Sequence, residues 1–170
     1  MNSEVTIYLG LGSNIGNKIE NIIVAVDKLK SNSEITFVAL SSFYETEPRE
    51  YLNQDNFINA VVKLQTTFSA IELYKIIKNI ETEMGRKAIF QNGPRLIDID
   101  ILLYGDKIIN TNEILIPHAK ISERKFVLIP FAEIDNSVII PGIQKSILQL
   151  LKSCNDSGVV QIIVEKNILV

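Results

Sequence analysis

GPRLIDIDILLYG, residues 93–105, has the composition of a buried strand that carries two acidic side chains. Its dense, β-branched apolar residues favour a strand, yet Asp98 and Asp100 lie within it. Side chains two residues apart in a strand lie on the same face of the sheet, with Cα atoms roughly 6–7 Å apart. We therefore expect the two aspartates to share one face. The opposite face should be apolar and carry Ile97, Ile99 and Ile101.

Two adjacent carboxylates need a partner of opposite charge. Buried without one, each would cost several kcal/mol, and their repulsion would raise the pKa of one of them. Two Mg²⁺ ions about 3.5–4 Å apart could be held by such a pair, because Mg²⁺ combines one or two carboxylates with substrate phosphates. A solvated strand face, or an ion pair with Arg95, would also explain the pattern. Arg95 and Arg86 supply positive charge of the kind that phosphoryl transfer requires.

The chain has 170 residues, and we expect them to form a single domain, residues 1–170. The formal net charge is −3 and like charges do not cluster, so general binding to nucleic acid or to a membrane surface gains no support. The one cysteine, Cys154, cannot form an internal disulfide. With no signal-peptide pattern and no long apolar run, we expect a cytoplasmic protein.

Working outward from the aspartate strand, periodicity and capping signals predict the order β-α-β-β-α-β, followed by α-α-β. Ser69 and Glu72 have the spacing of a capping box, and Gly85 fits the end of that helix. This order resembles a ferredoxin-like α+β sandwich with a βαββαβ core and a C-terminal extension of helix and strand. Besides the aspartate strand, strands are predicted over residues 5–12, 34–46, 56–66 and 159–164, and helices over residues 18–30, 69–84, 126–134 and 143–151.

Three other features of the sequence are candidates for functional sites. The segment GLGSNIGN, residues 10–17, lacks the Gly-Lys-Ser/Thr of a Walker A motif and is better explained as a tight strand-to-helix turn. His118 is the only histidine, and a lone histidine is more often a structural hydrogen-bonding residue than a ligand or base. Phe57 and Phe126 could stack on a flat ring whose edge Asn59 reads, although each aromatic alone is more often a core residue.

Taken together, these segments resemble the 6-hydroxymethyl-7,8-dihydropterin pyrophosphokinase family of folate biosynthesis. The matching motifs run in the family's order from about Tyr8 to Ile134, and the most specific of them is Gly-Pro-Arg-x-x-Asp-x-Asp. They are LGSN, SSFYET, NFINA, ETEMGR, GPRLIDIDILLYG, IINTNEILIPH and SERKF.

The resemblance implies a ferredoxin-like fold, usually monomeric, and an ATP-dependent transferase. The β,γ-pyrophosphoryl group of ATP would pass to the hydroxymethyl oxygen of the pterin and release AMP. Because the acceptor hydroxyl attacks phosphorus in line, catalysis needs positioning and charge neutralisation rather than a protein nucleophile. Two other functions stay open: transfer of a single phosphoryl group to another small acceptor, and a ferredoxin-like ligand-binding module without catalysis.

The resemblance also implies roles for individual residues. Two Mg²⁺ ions would join ATP to Asp98 and Asp100, while Arg86 and Arg95 would support the transition state from the mobile loop between them. ATP would contact Glu81, Ile101, His118 and Arg124. The pterin would contact Thr46, Glu47, Arg49, Phe57, Asn59 and Phe126, with the two phenylalanines on either side of the ring.

The chain departs from the family pattern in the loop before Gly-Pro-Arg. Asn92 stands where tryptophan is frequent, and Gln91 where a basic residue is usual. Glu113 stands where some members of the family have a basic residue, and Leu115 and Ala119 replace residues that can contact ATP. With fewer positive loop residues, we expect weaker ATP affinity or slower loop closure than in an arginine-rich relative. A Gln91→Arg substitution that changed neither property would contradict this expectation.

Overall fold

The computed structural model describes residues 3–86, 90 and 92–165. Two helices, each placed between strands, belong to the first part of the chain, and two further helices and a last strand follow. The elements are β1 (Val5–Ser13), α1 (Lys18–Lys30), β2 (Ile35–Leu40), β3 (Phe43–Thr46), β4 (Phe57–Thr66), α2 (Ala70–Glu83), β5 (Asp98–Tyr104), β6 (Ile109–Asn110), β7 (Leu115–Ile116), α3 (Lys125–Asp135), α4 (Ile147–Ser153) and β8 (Val160–Val164).

The main sheet has the strand order β5-β1-β4-β3-β8, and β2 pairs with β4 further along the β4 edge that β3 occupies. All of its strand pairs are antiparallel. With β2 and β3 taken as one interrupted strand, this is the order of a ferredoxin-like βαββαβ core, and β8 extends the sheet. The predicted fold class is therefore confirmed. The strands β6 and β7 form a separate small ladder.

Helices cover both faces of the sheet, and each face has its own apolar core. Burial of a large apolar side chain stabilises the fold by about 1.5–3 kcal/mol, so both layers contribute substantially. One core joins α1 and α2 to the sheet through residues such as Ile7, Leu9, Ile22, Leu73 and Ile77. The other joins α3 and α4 to the opposite face through Tyr8, Val61, Leu128, Phe131 and Ile147.

The aspartate strand β5 pairs with β1 so that Asp98 lies opposite Gly12 and Asp100 lies opposite Gly10. Ile97, Ile99 and Ile101 are buried in the α1–α2 core, as the alternation of side chains predicts. The register then shifts: Leu9 pairs with Ile101 and Tyr8 with Leu103. Leu102 is therefore a bulge residue, and both Leu102 and Leu103 pack on the α3–α4 side.

The prediction of one strand over residues 34–46 is wrong in one respect, because the strand breaks at Ser41 and Ser42. The Ser41 side chain accepts a hydrogen bond from the Val61 N–H at 2.9 Å. The N–H and hydroxyl of Ser42 both donate to the Glu133 carboxylate, each at 2.9 Å. Side-chain hydrogen bonds to the backbone thus replace part of the strand ladder.

Helix boundaries follow the capping residues. Lys18–Lys30 is confirmed, and Ser69 with Glu72 forms the predicted capping box at the start of α2. Gly85, at φ +90°, follows the end of α2 in the left-handed region that favours glycine. The helix predicted over residues 143–151 begins only at Ile147, because Ser146 and Gln149 form a capping box there.

Among the described residues, no helix is both long enough and apolar enough to cross a membrane.

Candidate active site

A cavity of about 840 Å³ lies over the sheet face that carries the two aspartates. Its floor comes from β5, β1 and β4. Its walls come from the segments around residues 46–57 and 118–126, and from residues 86, 90 and 92–95. All of the predicted site residues except Glu81 and Ile101 line it. They are Thr46, Glu47, Arg49, Phe57, Asn59, Arg86, Arg95, Asp98, Asp100, His118, Arg124 and Phe126.

Asp98 is held between two arginines. Arg95 Nη1 lies 2.7 Å from Asp98 Oδ2, and Arg86 Nη1 lies 3.1 Å from Asp98 Oδ1. The ion pair with Arg95, which the sequence alone left as an alternative to a metal site, is thus present. It does not remove the aspartate from the cavity, because Asp98 and both guanidinium groups line it.

Among the described residues, the one ion-pair contact of Asp100 is with His118 Nε2, at 3.9 Å. Burial, and secondly the charge of Asp98, raise the pKa of Asp100 to about 6. Burial, followed by the charge of Arg124, lowers the pKa of His118 to about 4, so its imidazole is neutral at pH 7. His118 Nδ1 accepts a hydrogen bond from the Lys120 N–H at 3.2 Å. The remaining proton therefore belongs to Nε2, which makes that nitrogen a donor.

Glu81 lies behind the cavity wall rather than in it. Its side chain is 2% exposed and accepts a hydrogen bond from the Ile99 N–H at 2.8 Å. It also pairs with Lys78 at 2.9 Å and with Arg86. One buried carboxylate thus ties α2 to β5 and holds the arginine that reaches Asp98.

Ile101 likewise does not line the cavity, since it is buried in the α1–α2 core. For Glu81 and Ile101, contact with ATP stays a prediction to which the cavity geometry adds nothing.

A second part of the cavity contains the Asn59 amide, which lies across β1 from Asp98 because both residues are opposite Gly12 in the sheet. Asn59 Nδ2 donates to Thr46 Oγ1 at 2.8 Å, and both residues are buried. A Cβ atom at Gly12 would lie 3.3 Å from Asn59 Oδ1, so the glycine leaves room for the amide. Phe57 and Phe126 line the same cavity, with the Arg124 guanidinium 5.6 Å from the centre of the Phe126 ring. This arrangement suits a flat, hydrogen-bonding ring.

Asn14 connects the loops around the cavity. Its side chain accepts from the Arg95 N–H at 2.7 Å and donates to Gln54 Oε1 at 2.9 Å and to the Asp55 carbonyl at 3.1 Å. Gln54 in turn donates to the Asn92 carbonyl at 3.1 Å. In the sequence, Asn14 stands out only as part of the LGSN motif. Its partners lie 40 to 81 residues away, so its role was not visible in the local pattern.

Several other cavity residues were not predicted. They include Glu50, Gln54, Lys78, Phe90, Lys120, Glu123 and Asp156. Phe90 meets Tyr51 edge to face, with ring centres 5.0 Å apart, across two cavity loops. Asp156 comes from the segment after α4 and forms an ion pair with Arg49. These residues come together only in the folded structure, so their spacing along the chain did not reveal them.

The departures from the family pattern fall in different places. Gln91 lies outside the described residues, as do residues 87–89 of the same loop. Asn92 lines the cavity and has φ +61°, a conformation that asparagine tolerates better than most residues. Glu113, Leu115 and Ala119 are not among the cavity residues.

The donor set at Asp98 and Asp100 fits Mg²⁺. Within the described ranges, no group of three or more His, Cys, Asp or Glu side chains is arranged to hold a metal ion. Mg²⁺ requires no such group, since it keeps several waters and binds one or two carboxylates together with substrate phosphates. Two carboxylates that face an open cavity beside arginines meet this requirement.

Comparison with known proteins agrees with the cavity. Residues 8–136 match the model of the family described as 7,8-dihydro-6-hydroxymethylpterin-pyrophosphokinase (HPPK). The 2-amino-4-hydroxy-6-hydroxymethyldihydropteridine pyrophosphokinase of Aquifex aeolicus is 44% identical over 140 residues, which cover 82% of this chain and 86% of that protein. The enzyme of the same name from Haemophilus influenzae is 34% identical over 158 residues, covering 93% and 98%.

The chain also resembles part of larger proteins. It is 43% identical over 136 residues to the folic acid synthesis protein FOL1 of Dictyostelium discoideum, and the match covers 79% of this chain but 20% of that protein. Among solved structures, Plasmodium falciparum HPPK-DHPS with pteroate superposes with a TM-score of 0.72 at 16% identity, over 90% of this chain and 43% of that one. That likeness supports the fold. On the family match and the identity to its single-domain members, the chain belongs to the 7,8-dihydro-6-hydroxymethylpterin-pyrophosphokinase family.

Proposed function

We propose that the chain transfers the pyrophosphoryl group of ATP to the hydroxymethyl group of 6-hydroxymethyl-7,8-dihydropterin, giving AMP and the pterin diphosphate in folate synthesis. One observation carries the proposal beyond family membership. A single cavity is lined both by the Asp98–Asp100 pair with Arg86 and Arg95 and by the Thr46–Asn59 pair with Phe57 and Phe126. It therefore has a place for phosphates and a place for a flat acceptor.

The acceptor end fixes the pterin by shape and by hydrogen bonds. Phe57 and Phe126 would stack on its two faces. Because Asn59 Nδ2 already donates to Thr46, the amide keeps one orientation and presents its remaining hydrogen-bonding groups to the ring edge. Backbone groups near Glu47 and Arg49 would complete the recognition of that edge. Such prior ordering reduces the entropy cost of holding the hydroxymethyl oxygen in line with phosphorus.

The phosphate end supplies positive charge. Two Mg²⁺ ions held by Asp98 and Asp100 would neutralise phosphate charge when bound. Arg86 and Arg95, which pair with Asp98, would turn to the phosphate oxygens when ATP is bound. His118 would donate from Nε2 to a phosphate oxygen, and Arg124 would add a further cation.

The reaction needs no nucleophile from the protein. The acceptor hydroxyl attacks the β-phosphorus in line and AMP leaves. Arg86, Phe90 and residues 92–95 line one wall of the site. Closure of the loop to which they belong over bound ATP would exclude water, which competes as an acceptor. We further propose that the chain acts as a cytoplasmic monomer.

A product assay tests the proposal. The protein is mixed with Mg²⁺, ATP and 6-hydroxymethyl-7,8-dihydropterin, beside an Asp98→Ala variant. AMP and pterin diphosphate, lost in the variant, are expected. ADP in place of AMP would favour the single-phosphoryl kinase. A folded protein that binds the pterin equally well with and without Asp98, and makes neither nucleotide product, would favour the non-catalytic module.

A further inference from the structure

The segment after α4 contributes an acidic residue to the cavity. Asp156 lies beyond residue 136, the last residue matched by the family model, yet it lines the cavity together with Arg49. Its side chain is 4% exposed, so the carboxylate is nearly buried. A nearly buried carboxylate requires hydrogen-bond or ion-pair partners. Asp156 has three: Arg49 and Lys125 from distant segments, and Gly158 from its own turn.

One carboxylate oxygen of Asp156 binds the Arg49 side chain. Oδ1 forms an ion pair with Arg49 Nη2 and accepts a hydrogen bond from the Gly158 N–H at 2.9 Å. Arg49 follows β3 by three residues and shares its segment with Thr46 and Glu47. The ion pair therefore fixes the end of the segment that would read the edge of the pterin.

The other oxygen of Asp156 bonds to the backbone at the start of α3. Oδ2 accepts from the Lys125 N–H at 3.0 Å, at the first residue of α3. Arg124, at the N-cap position of α3, provides no side-chain cap, so Asp156 supplies the capping carboxylate from a distant segment. Lys125 lies between Arg124 and Phe126, both of which line the cavity. One carboxylate thus joins the two walls between which the acceptor would lie.

Gly158 completes the seat for the Arg49 guanidinium. A Cβ atom at this position would overlap the guanidinium, so the group packs directly on the glycine backbone. Burial raises the pKa of Asp156, but hydrogen bonds from Gly158, Arg49 and Lys125 outweigh it and hold that pKa below its usual value. The carboxylate is therefore charged wherever the enzyme would work.

We propose that Asp156, seated with Gly158, is a positioning residue of the acceptor subsite, which acts by holding Arg49 and the segment behind it. This inference rests on the proposed pterin pyrophosphokinase activity. It assigns to the C-terminal extension a part in binding the acceptor rather than ATP. A purely structural role would lower stability without separating the two substrates.

The test uses the full chain and the variants Asp156→Asn and Asp135→Asn. Asparagine at position 156 can still cap α3 through its amide oxygen but cannot pair with Arg49 as a charge. Asp135 is the matched control, because it pairs with Lys63 and accepts from Tyr8 at the other end of α3, away from the cavity. The Michaelis constants for pterin and for ATP, kcat and the melting temperature are measured for each.

Asp156→Asn should raise KM for the pterin about tenfold, as expected for loss of one charge-assisted hydrogen bond, and leave KM for ATP within about twofold. Asp135→Asn should lower the melting temperature and leave both constants unchanged. In an Arg49→Ala background the effect of Asp156→Asn should fall below about threefold, because the two act as one unit. An unchanged pterin KM in Asp156→Asn, or the same increase in both backgrounds, would overturn the inference.

Gly158→Ala gives an independent variant that keeps the carboxylate. It should displace the guanidinium and raise the pterin KM as well, again without a matching change for ATP. A Gly158→Ala enzyme with the wild-type KM for the pterin would contradict the role of Gly158 in placing the Arg49 guanidinium. The wild-type assay separates the two claims: if it yields no AMP, the proposed function falls and the inference falls with it, whereas AMP with unaltered variants removes only the inference.

Discussion

Asn14 and Arg95, 81 positions apart, are joined in both directions: the Asn14 side chain accepts from the Arg95 N–H at 2.7 Å, and the Asn14 N–H donates to the Arg95 carbonyl at 3.0 Å. This pairing attaches the backbone of Arg95 to the turn after β1. The Arg95 guanidinium, which contacts Asp98, therefore projects from a fixed backbone.

Replacement of Asn14 by alanine tests this attachment. The loss of its side-chain hydrogen bonds should free Arg95 and reduce kcat/KM by about 10- to 100-fold, equivalent to about 1.4–2.8 kcal/mol. Asn17→Ala is the control in the same turn, since Asn17 caps α1 by accepting from the Glu20 N–H. It should lower the free energy of unfolding by about 1 kcal/mol without altering kcat. Steady-state kinetics on both would decide, and wild-type kcat/KM in Asn14→Ala would contradict the role.

The two aspartates should have opposite effects on stability in the absence of metal. Asp98→Asn leaves Arg86 and Arg95 without their anion and should lower the free energy of unfolding by about 1–3 kcal/mol. Asp100→Asn relieves repulsion with Asp98; because the Asp100 side chain is 39% exposed and solvent screens its charge, the free energy of unfolding should rise by no more than about 0.5 kcal/mol. Urea unfolding at pH 8 with a chelator measures both. Equal destabilisation by the two substitutions would show that the charges are not distinguished in this way.

Asp135 and Lys63, 2.7 Å apart, give a pH dependence of stability. Burial raises the pKa of Asp135, but hydrogen bonds from Lys63 and Tyr8 bring that pKa below 3.8. The hydrogen bond to Asp135 raises the pKa of Lys63 above 10.5, although burial opposes it. A carboxyl group whose pKa is lower in the folded than in the unfolded protein stabilises the fold at pH values above its unfolded pKa. That stabilisation is lost as the pH falls through the folded pKa. An amine whose pKa is higher in the folded protein stabilises the fold at pH values below its unfolded pKa. That stabilisation is lost as the pH rises through the folded pKa.

The destabilisation caused by Asp135→Asn should therefore be constant, at about 1 kcal/mol, between roughly pH 5 and pH 10. It should shrink below pH 4 and above pH 10.5. Denaturant unfolding of wild type and variant across this range provides the measurement. A difference that persisted unchanged at pH 3 would exclude the carboxylate as its source.

Thr46 should act on the pterin through Asn59. Thr46→Val removes the oxygen that accepts from Asn59 Nδ2 at 2.8 Å, so the amide loses its fixed orientation and a buried donor is left unpaired. The pterin KM should rise about tenfold, and the free energy of unfolding should fall by about 1–2 kcal/mol. Thr46→Ser, which keeps the hydroxyl, should restore most of the pterin affinity. Equal KM values for the valine and serine variants would rule out the hydrogen bond as the cause.

The sequence predicted best what depends on near neighbours. The two-residue spacing put Asp98 and Asp100 on one face, and Arg95, three residues earlier, was within reach of Asp98 on any plausible path of the chain. Capping pairs such as Ser69 and Glu72 fixed the start of a helix for the same reason. The order of these local elements was then sufficient to predict the ferredoxin-like core.

What could not be predicted depends on partners far along the chain. Ser42 interrupts a strand because Glu133, 91 residues later, accepts from it. Asn14 and Asp156 lie in a turn and a loop of ordinary composition, and only folding brings them to Arg95 and Arg49. Glu81 was predicted to touch ATP because of its position in a motif, while its buried contacts with Ile99 and Arg86 depend on how α2 packs against β5.

The bulge at Leu102 has a consequence for any effort to simplify this protein. Deleting Leu102 would leave a regular strand in which the aspartates and isoleucines keep their faces, and idealised strands are generally easier to design. Yet the Leu102 carbonyl accepts the His118 N–H at 3.1 Å, a bond that the irregularity makes possible by freeing this carbonyl from the ladder. A redesigned sheet with a regular β5 would lose the hydrogen bond that positions the His118 backbone, so a designer must keep the bulge.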